Sequence, residues 1–235
     1  MDIEGSVALI TGANRGFGAE LSRQLLDRGA AKVYAGARDV DSITQASVVG
    51  VQLDVTSPTD IASAAERCGD VTLLVNNAGI SSHATLLADD VVDDARETFE
   101  TNVFGPMALS QAFAPTLAAN GGGAIINVLS VLAWIGLGDH GVYGASKAAG
   151  WSFTNSLRQV LFDQHTQVLG LYVAYMDTDM TAGIDSPKSD PRDIAALTLD
   201  GLEAGEHEVV ADGVSRRVRN SLSGELTDLY PFLKG

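Results

Sequence analysis

Tyr143 and Lys147 stand four residues apart in the stretch Val142-Tyr143-Gly144-Ala145-Ser146-Lys147. On a helix, that spacing brings both side chains to one face. A free tyrosine titrates near pH 10, too high to exchange protons readily at neutral pH. A neighbouring ammonium favours the phenolate and lowers that value, each unit corresponding to about 1.4 kcal/mol. The pair can then act as general acid and base for an alcohol–ketone couple. Ser130 closes an apolar run at 124–129, and a hydroxyl there can donate to a carbonyl oxygen while Tyr143 delivers the proton. Asn102 adds a backbone argument. Pro106 follows four residues later and has no N–H, so the carbonyl of residue 102 loses its normal helical partner. A free carbonyl at such a kink can hold a water beside Lys147 and begin a proton relay to solvent. Taken singly, each residue has an ordinary structural use; a second motif gives the set its weight.

That motif is Thr11-Gly12-Ala13-Asn14-Arg15-Gly16-Phe17-Gly18, directly after the apolar run 7–10. Gly12 permits a tight turn, Gly16 lets a ligand phosphate approach the backbone, and Gly18 allows close helix–strand contact. A helix opening at this point offers free N–H groups and a positive dipole end to a pyrophosphate. After the second strand the chain reads Gly36-Ala37-Arg38-Asp39. A carboxylate there grips ribose hydroxyls, whereas a cation accepts a 2′-phosphate. Arg38 presents a planar fork suited to phosphate, and Arg15 can reach the same corner. NADP(H) is therefore expected over NAD(H), with Asp39 either pointing inward or pairing with Arg38.

The elements that must position these residues alternate along the chain. Apolar, β-branched runs fall at 7–10, 32–37, 48–53, 71–76, 124–129, 168–173 and 208–211. Helical patterns lie between them at 17–28, 58–67, 90–119, 142–163 and 191–204, with a weaker one at 39–46. Nearly continuous apolar strands are buried on both faces, the signature of a parallel sheet. The expectation is an α/β doubly wound sheet covered by helices on both faces, in one domain spanning 1–235. The stretch 174–190 breaks the rhythm and is expected to be a functional loop. Beyond 212, Arg216, Arg217 and Arg219 predict a solvated helical face.

Composition narrows the class further. The chain has 235 residues, 46% hydrophobic and 19% charged, with 30 acidic against 15 basic residues and a net charge of −15. That surface argues against nucleic-acid or anionic-membrane binding, which needs clustered Lys/Arg. The one cysteine, Cys68, makes an intrachain disulfide or a multi-Cys zinc site impossible. The opening Met-Asp-Ile-Glu-Gly lacks the basic and apolar regions of a signal peptide. No apolar run approaches the ~20 residues of a membrane span; the longest candidate, 123–138, is interrupted by Asn127 and Ser130. A soluble, cytoplasmic protein is expected.

Taken together, the motifs resemble those of the short-chain dehydrogenase/reductase family: Thr11-Gly12-x-x-x-Gly16-x-Gly18, Asn76-Asn77-Ala78-Gly79, Asn102, Ser130 and Tyr143-x-x-x-Lys147. The resemblance covers roughly residues 5–181. It implies a seven-stranded parallel Rossmann sheet of order 3-2-1-4-5-6-7 and a homodimer or homotetramer joined through two long helices. In these helices Phe99, Phe113, Trp151 and Phe153 serve either the core or the contact. It also implies Tyr143 as proton donor, Ser130 orienting the carbonyl, Lys147 holding the nicotinamide ribose, and Asn102 supporting the relay. Cofactor contacts would come from Gly12, Asn14, Arg15, Gly16, Phe17 and Gly18, from Arg38, from Asp54 and Val55 at the adenine, and from Asn77, Ala78 and Gly79 beneath it. Thr178, at the carboxamide, and Met176 complete the set. Two departures stand out. The family commonly has Pro-Gly after the sixth strand, where this chain reads Val173-Ala174, and the chain lacks the usual glycine-rich closing segment after Asp212-Gly213-Val214.

The substrate pocket is expected between the segment after Ser130 and the loop 174–190, lined by Leu132, Trp134, Ile135, Leu137, His140, Ala174, Met176 and Met180. Such a lining suits an apolar or aromatic ketone, and neither segment supplies an arginine for a substrate carboxylate. His83, His165 and His207 lack metal-ligand spacing, and no metal is expected. The reading is an NADPH-dependent carbonyl reductase, reversible as an alcohol dehydrogenase. A ketoreductase acting on β-ketoacyl or polyketide intermediates is the alternative enzyme, and a dinucleotide-sensing regulator the non-catalytic one.

Overall fold

A computed structural model describes residues 1–82 and 85–234. Seven strands form one all-parallel sheet: β1 (Val7–Thr11), β2 (Lys32–Ala37), β3 (Val49–Gln52), β4 (Leu73–Asn76), β5 (Ala124–Val128), β6 (Gln167–Tyr172) and β7 (Glu208–Val210). Their order is β3-β2-β1-β4-β5-β6-β7, so the chain reverses its winding between β1 and β4. The helices are α1 (Gly16–Asp27), α2 (Pro58–Arg67), α3 (Val91–Phe99), α4 (Gly105–Ala119), α5 (Gly141–Val160), α6 (Pro191–Glu203), α7 (Gly213–Ser221) and α8 (Leu226–Leu229).

Successive strand side chains point to opposite faces, and both faces are covered. Ala8 and Ile10 of β1 join Phe17, Leu21 and Leu25 of α1 and Ile194, Leu199 and Leu202 of α6 on one side. Leu9 joins Ile61 of α2, Leu109, Phe113 and Leu117 of α4, and Leu157 of α5 on the other. Phe113 is thus core, while Phe153 packs against that second layer and Trp151 against a smaller cluster of Leu129, Ala133 and Tyr172. This two-sided burial is why the strands read as unbroken apolar runs.

Two expectations about the elements need correction. The helix expected over 90–119 is broken: at Glu100–Phe104 it widens to a π-helical turn, with the Gly105 N–H reaching back to the Glu100 carbonyl. Pro106 offers no N–H to the normal ladder there, and such turns recur at functional sites. The weak helix at 39–46 is only a single tight turn, Val40–Ser42, capped by the Asp39 carboxylate. The region beyond 212 is a helix, as expected, with Arg216, Arg217 and Arg219 exposed on it. Arg216 donates to the Val210 carbonyl at 3.1 Å and Arg219 to Glu208 at 3.1 Å.

Candidate active site

The carboxyl ends of β1, β4 and β5 converge where the winding reverses, the usual ligand crevice of open α/β sheets. At the end of β1, Gly12 and Gly16 adopt φ of +64° and +54°, a region that disfavours side chains. A Cβ on Gly18 would stand 2.5 Å from the Gly12 carbonyl oxygen, so helix and turn meet only because it is absent. Thr11 Oγ1 accepts the N–H groups of Asn77 and Ala78 at 3.0 and 2.9 Å. The Asn77 amide in turn donates to the Thr11 and Gly12 carbonyls at 2.8 and 3.2 Å. Asn77 therefore braces the glycine turn from below. Asn14 braces it laterally, donating to Ser42 Oγ at 3.1 Å.

Arg15 precedes α1 and leaves its first turn without a side-chain cap, so the N–H groups there face outward for an anion. This turn, with no room for a Cβ and with uncapped donors, fits the pyrophosphate of a dinucleotide. Phe17 is only 5% exposed and packs in the core, so it offers the turn nothing but its backbone. Val55 is likewise buried against the space a Gly105 side chain would fill. The Asp54 carboxylate accepts from the Thr56 N–H and hydroxyl at 2.9 and 2.7 Å. Arg38 is exposed and, among the described residues, forms no ion pair. Asp39 is occupied in capping, accepting the Asp41 N–H at 3.1 Å rather than pairing with Arg38. Arg15 lies 3.8 Å from Asp179 across the turn, a solvent-exposed pair worth little by itself.

The reacting end gathers around α5. Lys147 and Asn102 are buried, Ser130 is 6% exposed, and Tyr143 is half-buried. Asn102 Oδ1 accepts the Ile80 N–H at 2.9 Å, while its amide donates to the Ile80 carbonyl at 2.9 Å and to Ser146 Oγ at 3.1 Å. The π-helical turn thereby ties the end of β4 to the first turns of α5. Gly79 lies just inside this tie, since a Cβ there would be 3.2 Å from Asn102 Oδ1 and 3.7 Å from Lys147 Nζ.

The electrostatics differ from expectation. Lys147 Nζ sits 5.5 Å from the centroid of the Tyr143 ring and donates to the Val128 carbonyl at 3.0 Å. Desolvation pushes the Tyr143 phenol up to about 12; the Ser130 hydroxyl opposes that rise and the nearby Tyr175 adds to it. Burial also lowers Lys147 to about 8. The amine's charge, turned towards a backbone carbonyl and itself costly to bury, does not offset the desolvation of the phenol. Next to it lies a cavity of about 10 Å³ lined by Asn76, Asn102, Asn127, Val128 and Lys147, among others, roughly the space one water needs.

The two segments expected to wall the substrate pocket take these positions. Leu132 and Ala133 are buried, Ile135 is half-buried, and Leu137 and Met180 are 42% and 49% exposed. Trp134 lies flat on Tyr172 with centroids 4.2 Å apart, so it is a packing residue of that wall. Met176 leans on the core rather than standing free. The loop 174–190 is closed at its base, Asp177 N–H donating to the Ser189 carbonyl and Ser189 N–H to that of Tyr175 at 3.0 and 2.8 Å. It carries Thr178 to within 3.8 Å of where a Gly16 side chain would begin. His140 is half-buried, its ring 6.5 Å from that of Tyr175. Sequence reasoning missed Tyr175, for which an aromatic in a loop was the only signal. It also missed Asp212 as a brace, although an Asp-Gly pair before a polar helix is a recognisable cap. His83 lies outside the described residues, and among those described no three His, Cys, Asp or Glu side chains assemble as a metal site. No described helix is long and apolar enough to cross a membrane.

A family profile described as short chain dehydrogenase matches residues 6–189. The crystal structure of a short chain dehydrogenase from Burkholderia cenocepacia in complex with NADP is similar at a TM-score of 0.94 and 38% identity, covering 100% of both chains. The chain is 32% identical to the 3-oxoacyl-acyl-carrier-protein reductase FabG of Escherichia coli, over 78% of this chain and 79% of that one. It is 28% identical to an NADP-dependent 3-hydroxy acid dehydrogenase of Schizosaccharomyces pombe, over 89% of this chain and 92% of that one.

Proposed function

Since the chain belongs to the short-chain dehydrogenase family, we propose that it is an NADPH-dependent reductase of ketones and aldehydes, reversible as an alcohol dehydrogenase and working on apolar or aromatic carbonyl compounds. One observation carries the reading: Ser130, Tyr143 and Lys147 meet at the carboxyl end of β5, beside a glycine turn shaped for pyrophosphate. When bound, the reduced dinucleotide supplies the hydride. The protein does the rest. The outward N–H groups of α1 and the tightness at Gly12 and Gly18 seat the phosphates, Arg38 and Arg15 meet the 2′-phosphate, and Thr178 faces the same turn from the loop. Ser130 donates to the carbonyl oxygen and Tyr143 passes its proton to it. A phenol held near 12 stays protonated throughout the neutral range, as the donor in the reducing direction must. Lys147, beside the one-water cavity that Asn102 helps to line, returns the proton through a water held there.

The NADP-bound Burkholderia structure supports the cofactor preference. We further propose a cytoplasmic homo-oligomer joined through α4 and α5, whose edges leave Met107, Val160 and Phe162 exposed. The FabG similarity favours a second reading, reduction of a β-ketoacyl group carried on a protein; a net charge of −15 counts mildly against docking of an acidic carrier. A panel of aryl, alkyl and β-keto ester ketones assayed with NADPH and with NADH separates these. Turnover of simple aryl or alkyl ketones, faster with NADPH, is expected; turnover of carrier-bound β-ketoacyl groups alone would select the second reading.

A further inference from the structure

The two departures from the family pattern, at Val173-Ala174 and after Asp212, meet in space. Asp212 caps α7 by accepting the Val214 and Ser215 N–H groups at 2.8 and 2.9 Å, and its other oxygen accepts the Ala174 N–H at 2.8 Å. It thereby fixes the base of the loop that carries Tyr175. Further along α7, the Arg219 guanidinium lies 5.4 Å from the centre of the Trp134 ring, whose stacking partner is Tyr172. Beyond α8, the Tyr230 hydroxyl accepts the Gly136 N–H at 2.8 Å, a contact spanning 94 residues. Gly136 follows Ile135, whose carbonyl oxygen is 3.9 Å from where a Gly144 side chain would begin, and Gly144 adjoins Tyr143. One short stretch of chain thus holds both walls of the cleft around the proposed proton donor.

We propose that residues 212–230 form a buttress that sets the shape of the substrate pocket, with Tyr230 and Arg219 as positioning residues that favour bulky carbonyl compounds. The proposal rests on the reading that carbonyl reduction occurs at Tyr143. A small ketone held by Ser130 and Tyr143 does not reach the wall at 134–137. An aryl ketone packs against it, and the position of that wall then enters its KM.

The test uses full-length Tyr230→Phe, which keeps the ring and removes the acceptor. Amide hydrogen exchange at Gly136 is expected to accelerate. The KM for an aryl ketone rises about fivefold, the value of one modest hydrogen bond, with kcat unchanged; acetone kinetics and NADPH affinity stay within about twofold. Equal losses for both ketones, or no loss for either, overturn the proposal. A wild type that reduces neither ketone refutes the functional reading instead. In that event the exchange rate still decides the buttress, since an unchanged Gly136 amide overturns it.

Discussion

Lys147 carries an amine into a buried position where it donates to the Val128 carbonyl, and desolvation brings its pKa to about 8. Burial penalises the charged form, so the ammonium is present below that value and lost above it. If its charge steadies the phenolate that Tyr143 becomes, kcat/KM for ketone reduction is level below pH 8 and falls above it. A profile level to beyond pH 10 would remove the ammonium from the mechanism. At the opposite end of the cleft, Arg38 stands exposed and forms no ion pair among the described residues. Arg38→Asp is expected to raise the KM for NADPH at least tenfold and that for NADH little, since one charge-assisted phosphate contact is lost; equal changes in paired steady-state assays would refute the role. The identity of these residues was legible in the sequence because four-residue and glycine spacings are local. The direction of the Tyr143 shift was not. It depends on where the end of a flexible lysine turns, and that is set by a carbonyl on another element.

The alternation of strands and helices was readable because burial on both sheet faces leaves unbroken apolar runs such as 7–10, and because Pro58 and Pro191 mark helix starts. The π-helical turn at Glu100–Phe104 was not, since hydrophobic period does not register a change in hydrogen-bond step; only Pro106 hinted at it. The long-range ties from Asn102 to Ile80 and from Tyr230 to Gly136 leave no pattern in either segment. The β1–α1 junction gives the sharpest test at this scale. Gly18→Ala places a Cβ 2.5 Å from the Gly12 carbonyl and 2.6 Å from the Asn77 amide. Overpacking of this kind costs about 1–3 kcal/mol, so thermal unfolding should begin several degrees lower and NADPH should bind at least tenfold more weakly. Gly183→Ala, with nothing within 4 Å, should change neither in the same melting and titration experiments.

Across the whole molecule, sheet order and charge divide the labour. Reversal between β1 and β4 opens one crevice at the carboxyl ends of the strands, and the glycine turn, the π-helical tie and α5 all face it. The surplus of 30 acidic over 15 basic residues leaves few cations on the surface, which gives the exposed Arg38 and Arg15 particular weight at the phosphate corner. Asp212 and Tyr230, flanking the C-terminal helices, then tie that end of the chain to Ala174 and Gly136. The account turns on Tyr143 giving the proton to the carbonyl while the rest of the site binds and aligns. Its most direct test is Tyr143→Phe, with NADPH affinity measured by calorimetry alongside ketone turnover. The expected result is a hundredfold or greater loss of kcat, in the range typical of a lost general acid, with NADPH affinity unchanged. Turnover that survives the loss of the hydroxyl would contradict it.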